Sequence, residues 1–199
     1  MRDLELRGAG NLLGDEQSGH VAALGFELYM QMLDEAVQAA SGGSAEGGED
    51  DWEPVRLDVH VDAYVPADYI PYEKAKVDVH RRIAGAREVA ELGLLREELL
   101  DRFGELPEPL ENLITLQIAR IKLGQAGAST VSFRGGRLAV TPVELDSVRA
   151  KRLRAEIPEA LYESGKSQLS VRVPEDPQQR FPAVVKAADV LLAVTREAA

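Results

Sequence analysis

The stretch VRLDVHVDAYV, residues 55–65, decides how the chain is read. Val55, Leu57, Val59, Val61, Ala63 and Val65 alternate strictly with Arg56, Asp58, His60, Asp62 and Tyr64. A side-chain period of two is that of an extended strand with one buried face. Pro66 and Pro71 close the stretch, since proline fixes φ and removes a ladder donor. The period then changes. A helix is expected from about Tyr72 through the basic run His80, Arg81 and Arg82, and a second pattern places Leu92, Leu95, Leu99 and Phe103 on one helical face with Gly104 as its stop. The segment ELPEP offers Pro107 and Pro109 to the first turn of a third helix carrying Leu110, Ile114, Ile118 and Ile121.

Downstream the period of two returns. Val131 and Phe133 alternate with polar neighbours, Gly135 and Gly136 form a tight-turn pair, and Leu138 and Val140 resume the alternation, which together spell a hairpin. A helix from about Ser147 to Glu156, a strand through Leu169, Val171 and Val173, and a closing helix from about Phe181 to Arg196 complete the series. Grouped strands and grouped helices point to an α+β domain over residues 54–199 rather than a doubly wound sheet. Upstream, SGGSAEGGEDDWE (residues 41–53) has almost nothing to bury and is expected to be a flexible acidic linker. Residues 1–40 divide into a glycine- and charge-rich loop and a helix whose stripe is Val21, Leu24, Leu28, Met32 and Ala36.

Composition narrows the function. A formal net charge of −11 argues against a free-standing nucleic-acid binder, because duplex affinity rests on phosphate neutralisation by Lys and Arg. The chain has no cysteine, which removes disulfides, thiolate metal sites and cysteine nucleophiles together. It has no run long enough to cross a bilayer, so a soluble, cytoplasmic protein without membrane partners is expected. His20, His60 and His80 are too scattered to suggest one metal site, no serine sits in a GxSxG elbow, and no phosphate-cradling GxxxxGK[ST] loop is present. The basic residues Lys74, Lys76, Arg81, Arg82 and Arg87 are interleaved with Glu73, Asp78 and Glu88, which favours surface salt bridging over a docking patch. The expectation is a protein that is not an enzyme by itself.

The most informative string is RDLELRGAGNLLGDEQSGH, residues 2–20. Its glycines let backbone amides approach a phosphate or a neighbouring loop, and Arg2 and Arg7 can fork onto oxyanions. Gly8, Gly10 and Gly14 give GxGxxxG with no surrounding βαβ unit, so a dinucleotide fingerprint does not fit. Residues 3–20 resemble the translocation motif shared by transcription-repair coupling factors (Mfd) and the branch-migrating helicase RecG. Three further strings resemble the coupling factors alone: GFELYMQMLDEAV (25–37), YVPADYIPYEKAKVDVHRRIA (64–84) and LLDRFGELPEPLENLITLQIARIK (99–122). Beyond about Ala128 only the order of elements still agrees.

The resemblance implies a role for each part. Arg7 and Gln17 would couple ATP-driven closure of RecA-like motor lobes to movement on double-stranded DNA, with Gly8, Gly10, Gly14 and Gly19 shaping the loop. Residues 54–199 would pack against a UvrB-like N-terminal module, masking the surface that recruits UvrA and restraining the motor until it meets stalled RNA polymerase. ATP and Mg²⁺ would be used by the full-length protein, with no cofactor in this chain, because the family's ATPase motifs lie upstream of its translocation motif. The alternative from another class is a stand-alone interaction adaptor in DNA repair or transcription.

Overall fold

Residues 55–57 and 59–196 are described by a computed structural model, and the expected loop, helix and linker of residues 1–53 lie outside them. The chain enters through a short strand β1 (Arg56–Leu57) and passes into three helices, α1 (Glu73–Gly85), α2 (Val89–Phe103) and α3 (Glu108–Gln125). A hairpin of β2 (Thr130–Arg134) and β3 (Arg137–Thr141) follows, then α4 (Ser147–Glu156), β4 (Leu161–Glu163), β5 (Gln168–Arg172) and α5 (Phe181–Arg196). The strands form one five-stranded sheet in the order β1-β2-β3-β5-β4, mixed because β1 runs parallel to β2 while every other pair is antiparallel. The fold is α+β.

One face of the sheet is apolar. Val131, Leu138, Val140, Leu169 and Val171 point into a core closed by Val184, Ala187, Ala188 and Leu191 of α5, Leu153 of α4, and Ala119 and Leu123 of α3. Burying a side chain such as Leu138 or Leu191 contributes roughly 1.5–3 kcal/mol against leaving it in water. The third helix is buried on two sides: Ala119 and Leu123 turn to the sheet, while Leu110, Ile114 and Ile121 turn away from water towards the side where α1 and α2 pack. Ile118, expected in the core stripe, is only half-buried.

The segment 55–65 corrects the sequence reading. Its ladder pairing covers only Arg56 and Leu57, with Arg56 opposite Thr130 and Leu57 opposite Val131, and residues 59–65 have no regular structure. The alternation still governs burial, since Val55, Leu57, Ala63 and Val65 are buried while Arg56, Asp62 and Tyr64 are exposed. The cause is the path of the chain, since β2 continues to Arg134 but residues 59–65 do not follow it. Beyond Leu57 the chain leaves the sheet edge and attaches to the start of α3 instead, where Tyr64 N–H donates to the Pro109 carbonyl (3.2 Å) and Asn112 Nδ2 to the Asp62 carbonyl (3.1 Å). Hydrophobic alternation reports an extended conformation, whereas strand status also needs a neighbour.

The junction between α1 and α2 depends on a buried polar side chain. Gln117 of α3 donates through Nε2 to the carbonyls of Ala84 (3.3 Å) and Ala86 (3.2 Å), which would otherwise end a helix without partners. Replacing Gln117 by the similarly sized Leu leaves two shielded carbonyls unmet, and a loss of about 1–3 kcal/mol is expected in equilibrium urea unfolding. The exposed Leu94→Ala change should stay within about 0.5 kcal/mol in the same assay.

Candidate interaction surface

Two of the strings singled out in the sequence, 64–84 and 99–122, meet in space. Pro66 and Pro71 hold the chain in a turn in which Ile70 N–H donates to the Pro66 carbonyl (3.1 Å), and this presents Tyr69 to the end of α2. The Tyr69 hydroxyl lies 3.1 Å from the Leu99 carbonyl oxygen and 2.9 Å from that of Gly104, donating to this carbonyl pair. Gly104 takes φ +86°, a left-handed conformation that glycine adopts without a Cβ penalty, and so ends α2 where the tyrosine waits. The Tyr69 and Phe103 rings pack with centroids 5.7 Å apart, and the Arg102 guanidinium lies 5.2 Å from the Phe103 ring centre. Desolvation, reinforced by the Glu111 carboxylate, raises the Tyr69 pKa and keeps its proton in place as a donor.

Charge pairs extend this contact. Glu98 of α2 accepts from Arg82 of α1 (2.7 Å) and from Arg102 one turn along its own helix (2.9 Å). Its hydrogen bond to Arg82, then that to Arg102, holds its carboxyl well below the usual range, at about 2. Arg96 joins α2 to α3 through Glu111 (2.6 Å). Of the basic run, Lys76 pairs with Glu73 and Arg82 with Glu98, in line with salt bridging, while Lys74 and Arg81 border a shallow hollow with Glu73, Val77 and Asp78. Tyr72, Leu94 and Leu100 stand 71%, 68% and 51% exposed, so the helical layer offers water isolated apolar side chains among fixed ion pairs. No cluster of three or more His, Cys, Asp or Glu side chains suited to a metal occurs among the described residues. Nor is any of their helices long and apolar enough to cross a membrane. The arrangement suits recognition of a surface.

A family model described as the TRCF domain matches residues 59–153, the span that contains the Tyr69 contact and all three helices around it. Residues 59–153 are a TRCF domain. The transcription-repair-coupling factor of Mycobacterium tuberculosis (strain CDC 1551 / Oshkosh) is 35% identical over 184 residues, covering 87% of this chain and 15% of that protein. Its counterpart in Bacillus subtilis (strain 168) is 42% identical over 116 residues, 58% of this chain and 10% of the relative. The chain thus spans about 15% of the length of the curated relatives it matches. The fold also superposes on the crystal structure of the C-terminal domain of a transcription-repair coupling factor with a TM-score of 0.60 at 19% identity, over 72% of this chain and 95% of that one. This chain is similar in sequence to coupling factors, and its TRCF domain sits in a fold like that of their C-terminal domain.

Arg7, Gln17, Gly8, Gly10, Gly14 and Gly19, the candidates for translocation coupling and loop shaping, lie outside the described residues. Within the TRCF domain the sequence offered no individual contact residue. Tyr69 nevertheless carries a signal in the sequence, being a tyrosine between two prolines followed some thirty residues later by a glycine-stopped helix. Tyr69→Phe keeps the ring packing and removes the hydroxyl, so a loss of about 1 kcal/mol in thermal or urea unfolding is expected without loss of helix content by circular dichroism.

His80 adds a pH dependence. Burial, with repulsion from Lys76, lowers its pKa from 6.5 to about 4, so the folded state favours the neutral ring. A group whose folded pKa is depressed contributes stability above its unfolded pKa and loses it as the pH falls through the folded one. The TRCF domain should therefore weaken between pH 6.5 and about 4, and His80→Gln should flatten that part of a denaturation-midpoint profile.

Proposed function

We propose that the chain acts as the C-terminal regulatory segment of a transcription-repair coupling factor. In this reading residues 54–199 pack against a UvrB-like N-terminal module, mask the surface that recruits UvrA, and restrain a DNA-translocating motor until it engages stalled RNA polymerase. Residues 1–40 belong to the end of the second motor lobe, where Arg7 and Gln17 pass lobe closure on to movement along double-stranded DNA and the loop glycines allow close backbone approach. ATP and Mg²⁺ are bound by the motor, in the cytoplasm, and the C-terminal segment regulates that chemistry without taking part in it.

The observation that carries the reading is the junction of the two family strings through Tyr69, Gly104 and the Arg82–Glu98–Arg102 pairs. A regulatory surface must keep its shape when its partner leaves, and backbone carbonyls held by a tyrosine with bidentate-capable arginines provide that rigidity. Solitary exposed Leu94 and Leu100 with a charged surround match the composition of an interface that opens and closes.

A coupling factor carrying residues 54–199 of this chain in place of its own corresponding segment provides the test. Basal ATPase and UvrA capture should both be low, and both should rise several-fold when the segment is deleted. Equal values with and without the segment would remove the regulatory role.

A further inference from the structure

The arginines at the hairpin end of the sheet form a feature that the regulatory reading does not use. The two-residue Gly135–Gly136 turn, with φ of +57° and +70°, fixes the register of β2 and β3 so that Arg134 lies directly opposite Arg137. On the other side of β3, Arg137 lies directly opposite Arg172 of β5. Residues in register share a face, so three arginines stand in a row across three adjacent strands on the face opposite the apolar core. At strand spacing the row spans about 10 Å. Arg180, at the start of α5, closes the same end of the sheet, and with Arg137, Arg172, Glu175 and the two turn glycines it borders a hollow of about 560 Å³.

What sets these arginines apart is how they are held. Arg82, Arg96 and Arg102 meet carboxylates. At the hairpin end Arg137 instead donates to the carbonyls of Glu159 (3.2 Å) and Ser170 (3.0 Å), and its shielded Nε has no acceptor. Arg180 donates to the carbonyls of Pro174 (3.1 Å) and Glu175 (2.7 Å) with its guanidinium 5.2 Å from the centre of the Phe133 ring. Neutral carbonyls orient a guanidinium without cancelling its charge. Like charges directly opposite one another in a sheet are destabilising, and no carboxylate among the described residues pairs with this row.

We propose that the Arg134–Arg137–Arg172 row is a docking site for an acidic helix of a partner protein, one presenting carboxylates a single turn apart. Residues three or four apart on a helix are about 5–6 Å from each other, close to the strand spacing of about 4.8 Å that separates neighbouring arginines. A carboxylate over each neighbouring pair meets a fork of donors from Arg134 or Arg172 on one side and the uncancelled charge of the carbonyl-held Arg137 on the other. A nucleic acid fits less well. Twelve of the chain's 34 acidic residues and only two of its 23 basic ones precede residue 55, which leaves the domain close to neutral, and Glu175 borders the same hollow as Arg137 and Arg172. A phosphate backbone running past the row would continue over that near-neutral surface, whereas a short acidic patch ends with the row.

The proposal is independent of the regulatory reading and is tested on the whole chain. Fluorescence anisotropy at low salt would follow a labelled alanine-rich helical peptide with glutamate pairs one turn apart, beside the same peptide with glutamines and a short DNA duplex. Binding of the glutamate peptide alone is expected, weakened about tenfold or more by Arg134→Gln with Arg172→Gln, a loss of about 1.4 kcal/mol. Because the substitutions relieve like-charge crowding, the double variant should melt at the same or a higher temperature in low salt, which a purely structural row would not do. Equal affinity for both peptides, or glutamate binding untouched by the double variant, would overturn the proposal. Preferential binding of the duplex, lost in the same variant, would overturn the protein partner in favour of a phosphate ligand.

Discussion

Everything in this domain depends on the sheet having one apolar face. Leu138, Val140, Leu169 and Val171 lie on the central strands β3 and β5, and each is at most 4% exposed. That face must be covered, and α5 covers it with Val184, Ala187, Ala188 and Leu191 at helical spacing. The small residues Ala187 and Ala188 let the helix axis approach the sheet closely. The opposite face needs no cover, which is why it can carry Arg134, Arg137 and Arg172 in the place where a two-sided sheet would need leucine or valine.

The helical layer is tied to this core through α3, whose second buried side receives α1 and α2. Sharing one helix between two packing surfaces makes the Tyr69 contact and the sheet parts of one structure, though they are built from distant sequence. Around that shared helix the polar devices each satisfy a helix end: Gln117 meets the carbonyls at the α1–α2 junction, and Tyr69 meets those at the close of α2. Asp146 does the same at the start of α4, accepting from Val148 N–H (2.9 Å) and Arg149 N–H (2.8 Å). The backbone bond from Arg149 holds its carboxyl below the usual range.

Much of this was legible from residues alone, and the boundary follows physical lines. Helix α2 with its Gly104 stop, the start of α4 at Ser147, the Gly135–Gly136 hairpin and the span of α5 are local features, each with its own signal of period, cap or turn. Strand β4, three residues long, is too short to show a period, and the parallel β1–β2 pairing joins segments more than seventy residues apart. The extended run 55–65 misled in extent because nothing in it says where the chain leaves β2 for the start of α3. Gln117 reads as an ordinary polar residue until α1 and α2 close over it. For the site, two coupling-factor strings within the domain were visible, but the arginine row was missed although its first step was available: a two-residue turn at Gly135–Gly136 already sets Arg134 against Arg137. The second step, Arg172, required knowing that β5 and not β4 lies beside β3.

The smallest element has a mechanical meaning. The chain enters the domain through β1, which is an edge strand paired over two residues, with one further bond from Arg56 N–H to the Ser129 carbonyl (2.9 Å). Tension applied through the preceding chain is borne first by this edge and not by the interior strands. Parting it would also draw Val55 and Leu57 out of the sheet core, so the entry strand anchors the preceding chain through apolar packing as well as through its few hydrogen bonds.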